Sequence, residues 1–322
     1  MNVGKQLPLF GGQRSQDYRI ATHYAINADA TLYHGDRLEL INEIRVMGDK
    51  ATLIVTSPPY NVGKEYEGKL NFDVYVEQQR ETIAACMDIL ADNGSICWQV
   101  GHYMQGAGLE KEVFPLDLVL YPIFKSFGLK LKNRIIWTFG HGLHEKFRLT
   151  GRHETILWFV KSDEYIFNLD PIRVPQKYPG KRSFRGTNKG KLSGNPDGKN
   201  PSDVWDMPNV KANHVEKTDH PCQFPIGLAE RLILALTNPY DLVLDPYLGA
   251  GTTAAAAVMR ERRAAGSDTT ASYLETARHR VEQAFEGTLP YRDMNKPVYE
   301  PDPNTSVASI PLEWQDAEID ND

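Results

Sequence analysis

Residues 51–61 read Ala-Thr-Leu-Ile-Val-Thr-Ser-Pro-Pro-Tyr-Asn, an apolar run that ends in a rigid turn. The β-branched first half is typical of a buried strand. Each proline fixes its own φ, and Pro59 also restricts Pro58 to an extended conformation, so the turn is stiff. The carbonyl groups of Ser57 and Pro58 stay free to accept hydrogen bonds. Such acceptors suit a planar amino group with Tyr60 as a stacking surface; a plain turn closing a core strand is the alternative.

A second stretch with the same layout is residues 242–253, which read Leu-Val-Leu-Asp-Pro-Tyr-Leu-Gly-Ala-Gly-Thr-Thr. This pattern predicts a buried strand, an acidic residue and a glycine-rich turn that opens an Ala-rich helix. Gly249 and Gly251 would let the backbone approach a ligand closely, and a helix N-terminus favours a carboxylate. No Lys-Ser/Thr pair follows the glycines, which argues against a phosphate-binding P-loop. A tight strand-to-helix turn without a ligand is the alternative.

Together the two stretches resemble the DNA amino-methyltransferases, which move a methyl group from S-adenosylmethionine to cytosine N4 or adenine N6. In that family a Ser/Asp-Pro-Pro-Tyr turn holds the target amine, and an Asp-Pro-Phe-x-Gly-x-Gly-Thr-Thr loop holds the cofactor. The target turn comes first here, the motif order of the permuted beta group known from restriction-modification systems. The resemblance covers about residues 30–286. It implies catalytic roles for Ser57, Pro58, Pro59 and Tyr60, and cofactor contacts from Asp245, Pro246, Tyr247, Gly249, Gly251, Thr252 and Thr253.

Three further elements match the cofactor side of this family. Residues 35–40 look like its Gly-Asp-x-Leu-Glu-Leu element, so Asp36 is expected to bind the adenine amino group. Asp268 follows a predicted strand, at the point where the family places its ribose-binding acid, commonly Glu. Either aspartate also suits a helix N-cap, and both roles can hold together. Residues 220–225 resemble the element before the cofactor loop, which adds Pro221 and Phe224 to the expected contacts.

The Pro221-Cys222-Gln223 element also matches the nucleophile of the cytosine-C5 methyltransferases. There it lies downstream of the cofactor loop and is partnered by Glu-Asn-Val, whereas here it lies upstream and no Glu-Asn-Val occurs. An amine acceptor needs no nucleophile, because transfer is a direct in-line displacement that depends on positioning and charge stabilisation. The amine is unreachable inside a duplex, so the base must flip out and stack, here on Tyr60.

The first residue of the target turn bears on which base is methylated. The family usually has Ser-Pro-Pro-Tyr for cytosine N4 and Asp- or Asn-Pro-Pro-Tyr for adenine N6. Cytosine N3 is unprotonated, and a Ser hydroxyl supplies it with a donor better than a carboxylate does. Ser57 therefore favours cytosine N4, with adenine N6 as the first alternative. An RNA or protein amino-methyltransferase usually carries Asn-Pro-Pro-Tyr, and an inactive DNA-binding protein would have lost a motif; both motifs are intact here.

Predicted strands alternate with predicted helices, which indicates an α/β fold with a doubly wound, mostly parallel, Rossmann-like methyltransferase sheet. Ligands of such sheets bind beyond the carboxyl ends of the strands, so the two motifs are expected to be neighbours. Residues 153–161 are expected to form one antiparallel strand, 92–94 a turn, and 61–71 a mobile loop over the site. The remaining strands are predicted near 31–36, 51–57, 95–100, 132–138, 241–245 and 263–267, and the helices near 38–44, 72–90, 114–127, 225–237, 252–262 and 271–286.

The chain is expected to divide into five segments. They are a flexible N-terminal arm (1–20), the catalytic half (21–161), a target-recognition insert (162–218), the S-adenosylmethionine-binding half (219–290) and an acidic tail (291–322). Residues 293–322 hold eight acidic residues and one Lys, which accounts for the net charge of −6. For DNA binding, a local basic patch matters more than the net charge of the whole chain. The insert supplies the expected DNA-binding residues Arg173, Lys177, Lys181, Arg182, Arg185, Lys189 and Lys191, unless they form only a solvated face.

Composition sets the remaining expectations. The three cysteines are widely spaced, which fits reduced thiols and provides no metal-ligand pattern. No apolar run approaches a membrane-spanning length and the N-terminus opens no signal peptide, so a cytoplasmic protein is expected. Double-stranded DNA is the expected partner. A homodimer and a cognate restriction endonuclease acting on the same site stay open at this stage.

Overall fold

The computed structural model describes residues 18–61, 70–106, 108–140, 142, 144–300 and 302. In this part of the chain, strands and helices alternate as the sequence predicts. The strands are β1 (Ile20–Ala21), β2 (Ala30–His34), β3 (Ala51–Thr56), β4 (Leu90–Val100), β5 (His102–Gln105), β6 (Glu112–Pro115), β7 (Lys130–Thr138), β8 (His153–Val160), β9 (Val204–Asp206), β10 (Leu242–Asp245) and β11 (Arg263–Asp268). The α-helices are α1 (Arg37–Val46), α2 (Phe72–Ile89), α3 (Leu116–Ser126), α4 (Ile226–Leu236), α5 (Thr252–Met259) and α6 (Ala271–Glu286).

Nine of the described strands form one sheet in the order β1-β2-β11-β10-β3-β4-β8-β7-β9. Its strands run parallel except β8, which is antiparallel to both β4 and β7. The prediction of a mostly parallel Rossmann-like sheet with one antiparallel strand is therefore confirmed. The strands β5 and β6 form a separate antiparallel pair.

Helices cover both faces of the sheet. On one face α1, α2 and α3 pack side by side over a core that includes Leu40, Ile83 and Phe124. On the other, α4, α5 and α6 pack over a second core. All six residues of β3 and all four of β10 are buried, which explains why both strands read as continuous apolar runs rather than alternating ones. No helix among the described residues is long and apolar enough to span a membrane.

Several local predictions differ from the structure. The turn expected at 92–94 is wrong, because β4 runs through these residues; they lie where its pairing with β3 shifts register. The helix expected from residue 114 begins at Leu116, since β6 occupies the preceding residues. The strand β9 was not predicted, because three residues are too few for a periodicity. In the loop expected at 61–71, residues 62–69 lie outside the described residues, as do 1–17 of the arm and most of the tail.

The segment expected as the target-recognition insert is joined to the sheet through β9, which pairs in parallel with β7. Between residues 173 and 199 the described backbone is irregular, and single bridges such as Val174 to Lys199 and Arg182 to Leu192 hold it. Backbone hydrogen bonds in both directions close the first of these bridges, 2.9 and 2.8 Å long. The segment boundaries at 162 and 218 stay a prediction.

The packing of Gly251 gives a reason for glycine at this position that the sequence did not indicate. It is the N-cap of α5 with φ +75°, a conformation that favours glycine. A Cβ at this position would lie 2.6 Å from the Cβ of Ala277, so the backbone here approaches helix α6 closely. The short side chains of α5 continue this tight packing. A valine at Gly251 is therefore expected to damage the fold rather than cofactor binding alone.

Candidate active site at the carboxyl ends of the central strands

A cavity of about 400 Å³ opens beyond the carboxyl ends of the central strands. This is the edge where open α/β sheets bind their ligands, and the volume lies in the range of small-molecule sites. The cavity wall contains both motifs. Of the residues expected in the site, those that line it are Asp36, Ser57, Pro58, Pro59, Tyr60, Pro221, Phe224, Pro246, Tyr247, Gly249, Thr252 and Asp268.

Three expected cofactor residues, Asp245, Gly251 and Thr253, lie behind this wall. The Asp245 side chain is 1% exposed and accepts hydrogen bonds from the hydroxyls of Thr56 (2.6 Å) and Thr253 (2.7 Å). Its Oδ1 also accepts from the backbone N–H of Tyr247 at 3.1 Å. Burial raises the pKa of Asp245 to about 6, although these three donors act in the opposite direction. Asp245 thus ties the strand before the target turn to the cofactor loop.

The target turn is closed by Asn61, whose role the sequence did not indicate. Asn61 is 2% exposed and has φ +59°, an uncommon conformation that Asn tolerates better than most residues. Its side-chain amide donates to the carbonyl of Leu70 at 2.9 Å, and the Leu70 N–H donates back to its Oδ1 at 2.7 Å. This pair of hydrogen bonds joins residue 61, at the end of the target turn, to residue 70, just before α2.

Ser57 and Tyr60 share a hydrogen-bond network with two residues that the sequence did not indicate. The Ser57 and Tyr60 hydroxyls lie 2.9 Å apart, and the Tyr60 hydroxyl donates to Glu154 Oε2 at 3.0 Å. Gln99 Nε2 donates to the same oxygen at 2.7 Å. Burial raises the pKa of Tyr60 well above its ordinary value and also raises the pKa of Glu154. No local motif could reveal Gln99 and Glu154, because β4 and β8 bring them together across the sheet.

Asp36 and Asp268 line the cofactor side of the cavity and also support local structure. Asp36 is the N-cap of α1, and its Oδ1 accepts from the Leu38 N–H at 2.8 Å in a capping box with Glu39. The Asp268 carboxylate accepts from the N–H groups of Gly249 (3.0 Å) and Thr270 (2.8 Å). Asp268 does not cap α6, because the N-cap there is Thr270. Burial raises the pKa of Asp268.

His220 packs against the glycine turn in the wall of the cavity. Gly249 has φ +51°, and a Cβ there would lie 3.0 Å from His220 Nε2. Burial lowers the pKa of His220 to about 4, so the ring is neutral near pH 7. Its Nδ1 accepts from the Cys222 N–H at 3.2 Å, which places the ring proton on Nε2. The His-Pro-Cys-Gln element thereby serves the cavity as a wall.

Arg280 supports the cofactor loop from beneath and was also missed by sequence reasoning. Its guanidinium is 4% exposed and donates to the Ala250 carbonyl (2.7 Å) and the Thr252 hydroxyl (3.0 Å). Burial lowers the pKa of Arg280 to about 10. An Arg in the middle of a polar helix has no sequence signal that sets it apart.

The expected DNA-binding residues differ in their availability. Arg173 is 15% exposed and donates to Asp170 (2.8 Å) and to the Gly198 carbonyl (3.1 Å), so it fastens the insert and is not free for phosphate. Arg182 donates to the Gly190 carbonyl at 2.7 Å. The side chains of the other five expected residues, Lys177, Lys181, Arg185, Lys189 and Lys191, are exposed.

Comparison with known proteins agrees with this arrangement. A profile of the family described as DNA methylase, of the N6/N4 group, matches residues 51–279. The chain belongs to this DNA methylase family. The type II methyltransferase M.BglII of Bacillus subtilis is 46% identical over 246 residues, covering 76% of this chain and 67% of the relative. The DNA adenine methyltransferase YhdJ of Escherichia coli (strain K12) is 32% identical over 263 residues, covering 80% and 84%.

Among solved structures, the M1.HpyAVI–SAM complex has the same fold. It superimposes with a TM-score of 0.55 and 23% identity, covering 78% of this chain and 98% of that one. This DNA methylase uses S-adenosylmethionine to methylate an amino group of DNA. Its cavity fits that cofactor, because it presents two carboxylates for hydroxyl or amino groups and a glycine turn at a helix N-terminus for the methionine carboxylate.

The buried carboxyl of Asp245 predicts a specific pH dependence of the DNA methylase's stability. Its folded-state pKa of about 6 lies above the ordinary 3.8, so its contribution to stability is greatest at low pH and is lost as the pH rises through 6. Asp245→Asn removes this titration. The free energy of unfolding of the variant, relative to wild type, should therefore increase between pH 4 and pH 7, by at most about 3 kcal/mol.

Urea unfolding at both pH values measures this difference. Glu275→Gln, at an exposed position of α6, controls for the loss of a negative charge. A relative stability of Asp245→Asn that stays constant or falls with rising pH would contradict the assignment.

Proposed function

We propose that this methylase is a site-specific enzyme that methylates the N4 amino group of a cytosine flipped out of duplex DNA. The observation that carries the proposal is the Ser57 hydroxyl, which lies in the wall of the same cavity as the cofactor loop. A Ser-Pro-Pro-Tyr turn resembles the cytosine-N4 members of the family. The strongest alternative is adenine N6, because the relative YhdJ is named an adenine methyltransferase.

The target amine would be held by two acceptors of the turn. Ser57 Oγ and the Pro58 carbonyl both line the cavity, and no donor among the described residues reaches that carbonyl. Two hydrogen bonds from the amino group to these oxygens draw its lone pair out of conjugation with the ring. The nitrogen then becomes nucleophilic without losing a proton first. Positioning of this kind is the main contribution that an enzyme can make to a direct displacement.

Tyr60 supplies the surface on which the flipped base stacks. A Cβ at Gly101 would lie 3.0 Å from the Tyr60 ring, so the ring rests against a glycine that leaves room for it. The hydrogen bonds of the Tyr60 hydroxyl to Ser57 and Glu154 hold the outer end of the ring in position. A fixed aromatic ring reduces the cost of taking the base from its stack in DNA.

On the cofactor side, Asp36 would bind the adenine amino group and Asp268 the ribose hydroxyls. Each Asp268 oxygen accepts one described backbone bond, which leaves acceptor capacity for a diol. S-adenosylmethionine supplies an electrophilic methyl group on a sulfonium. The neutral His220 and the turn at Gly249 shape the wall beside the methionine portion, and a neutral ring there avoids repulsion of the sulfonium charge.

The insert would bind the phosphate backbone of DNA. Among the described residues, the Lys181, Arg185 and Lys189 side chains are exposed and have no hydrogen bond or ion pair. Phe184, 88% exposed, lies among them. Free cations of this kind give phosphate contacts, which position the protein without reading sequence.

Ser57→Ala tests the target site. The variant lacks the oxygen that accepts from the amine, and loss of one positioned transition-state hydrogen bond typically slows reaction by about 10²–10³. Single-turnover methylation should slow by that order, while the affinity for S-adenosylmethionine in calorimetry stays close to wild type. Ser126→Ala, at the exposed end of α3, makes the same change away from the cavity and should have the wild-type rate.

The product of the wild-type enzyme identifies the base. Mass spectrometry of nucleosides from methylated DNA should find N4-methylcytosine. Finding N6-methyladenine would contradict the cytosine assignment and leave the family and the roles of the target turn in place.

The basic insert is tested by the salt dependence of DNA binding. Replacing Lys181, Arg185 and Lys189 together by Ala should reduce the slope of log K against log salt by about 0.9 for each lost phosphate contact. The matched control replaces three exposed cations outside the insert, Arg45 of α1, Lys50 before β3 and Lys125 of α3. A slope that changes equally in both triple variants would mean that the insert does not contact the phosphates.

A further inference from the structure

Glu154 is an acidic residue whose carboxyl group contacts the target turn, and neither motif contains it. It lies near the start of β8 and lines the cavity together with Ser57 and Tyr60. Its Oε2 accepts from Gln99 Nε2 at 2.7 Å and from the Tyr60 hydroxyl at 3.0 Å. Because this oxygen accepts two bonds, any proton on the carboxyl must lie on Oε1.

The direction of the next hydrogen bond follows from counting protons. Tyr60 remains a phenol near neutral pH, because burial raises its pKa well above the ordinary value. A phenol hydroxyl has one proton, and Tyr60 uses that proton to donate the hydrogen bond to Glu154. In the contact of 2.9 Å between the two hydroxyls, Ser57 must therefore be the donor and Tyr60 the acceptor. The Ser57 hydroxyl proton then forms the hydrogen bond to Tyr60, and the lone pairs of the Ser57 oxygen remain as acceptors on the cavity side.

We propose that Glu154 is a positioning residue that fixes the direction of a hydrogen-bond chain running from the target amine to Ser57, Tyr60 and Glu154. The amino group donates to Ser57, Ser57 donates to Tyr60, and Tyr60 donates to Glu154. Glu154 does not touch the amine. It acts through Tyr60, by keeping the Ser57 hydroxyl proton directed away from the amine. This inference rests on the proposed role of Ser57 as the amine acceptor.

The same chain changes one expectation drawn from the sequence. Ser57 cannot donate to cytosine N3 while its hydroxyl proton is directed at Tyr60 in the hydrogen bond between them. Gln99 Nε2, 3.4 Å from the Tyr60 hydroxyl, is the alternative donor to Tyr60. The preference for cytosine therefore depends on the Ser-Pro-Pro-Tyr pattern and not on a bond from Ser57 to N3.

A double-mutant cycle between positions 60 and 154 tests this hydrogen-bond chain. Tyr60→Phe keeps the stacking ring, and Glu154→Leu replaces the carboxyl with an apolar group of similar size. Each single variant should slow single-turnover methylation by about 10-fold to 100-fold, less than the direct loss of a transition-state hydrogen bond. The double variant should be no slower than the slower single variant, because both changes remove the same chain.

Glu154→Gln is the matched control, because its amide oxygen can accept the same two bonds. Its rate should stay within about fivefold of wild type. The inference is overturned if the two single effects multiply, if Glu154→Leu has the wild-type rate, or if Glu154→Gln is as slow as Glu154→Leu. Calorimetry with S-adenosylmethionine, expected to be unchanged, shows that each variant is folded.

Two further comparisons distinguish a failure of the hydrogen-bond chain from a failure to fold and from a failure of the proposed function. If Glu154→Leu does not fold, the isosteric Tyr60→Phe decides, since a wild-type rate in that variant contradicts the chain. Ser57→Ala, measured alongside, separates the inference from the proposed function. A slow Ser57→Ala with a fast Glu154→Leu overturns the chain alone, whereas a fast Ser57→Ala overturns the role of Ser57 itself.

Discussion

The site depends on one buried carboxylate. Asp245 accepts hydrogen bonds from Thr56, the last residue of β3, and from Thr253 in the first turn of α5. Those two threonines are 197 positions apart in the chain, yet Thr56 directly precedes the target turn and Thr253 ends the cofactor-loop motif. Sheet pairing alone aligns β3 with β10, but it does not fix the chain after each strand ends. Through Asp245 the target turn and the cofactor loop keep a constant relative position, which a direct methyl transfer requires.

The fold could be predicted from the sequence because its central strands and helices have strong, local patterns. The apolar runs that became β3 and β10 are buried on both faces, and each ends in a turn whose prolines or glycines are recognisable. The errors have physical causes. Asp92, Asn93 and Gly94 are typical turn residues, but in β4 they lie at a register shift, which tolerates the same residues. The pair β5–β6 and strand β9 are short elements that depend on neighbours for their stability.

The candidate site was predicted only as far as its motifs extend. The sequence predicted that the target turn and the glycine turn are neighbours, and both line one cavity. Asp36 and Asp268, also expected in the site, lie in the wall of that cavity. Asp245 and Gly251, which were expected to contact the cofactor, contact Thr56 and Ala277 in the structure, and a motif does not distinguish a residue that touches a ligand from one that supports it. Glu154, Gln99 and Arg280 come from single positions on separate elements. Only the packed structure places their side chains against the motifs.

The central claim is that one cavity holds the cofactor and the flipped base, with the amine on Ser57 and the methyl group facing it. A crystal structure of the enzyme with DNA and a non-reactive analogue of S-adenosylmethionine tests this most directly. The measured quantity is the distance between the target nitrogen and the atom that replaces the methyl carbon. The account predicts about 3–3.5 Å, with the base stacked on Tyr60 and the ribose at Asp268. A cofactor analogue outside the cavity, or a target amine that does not contact Ser57 and Pro58, would contradict it.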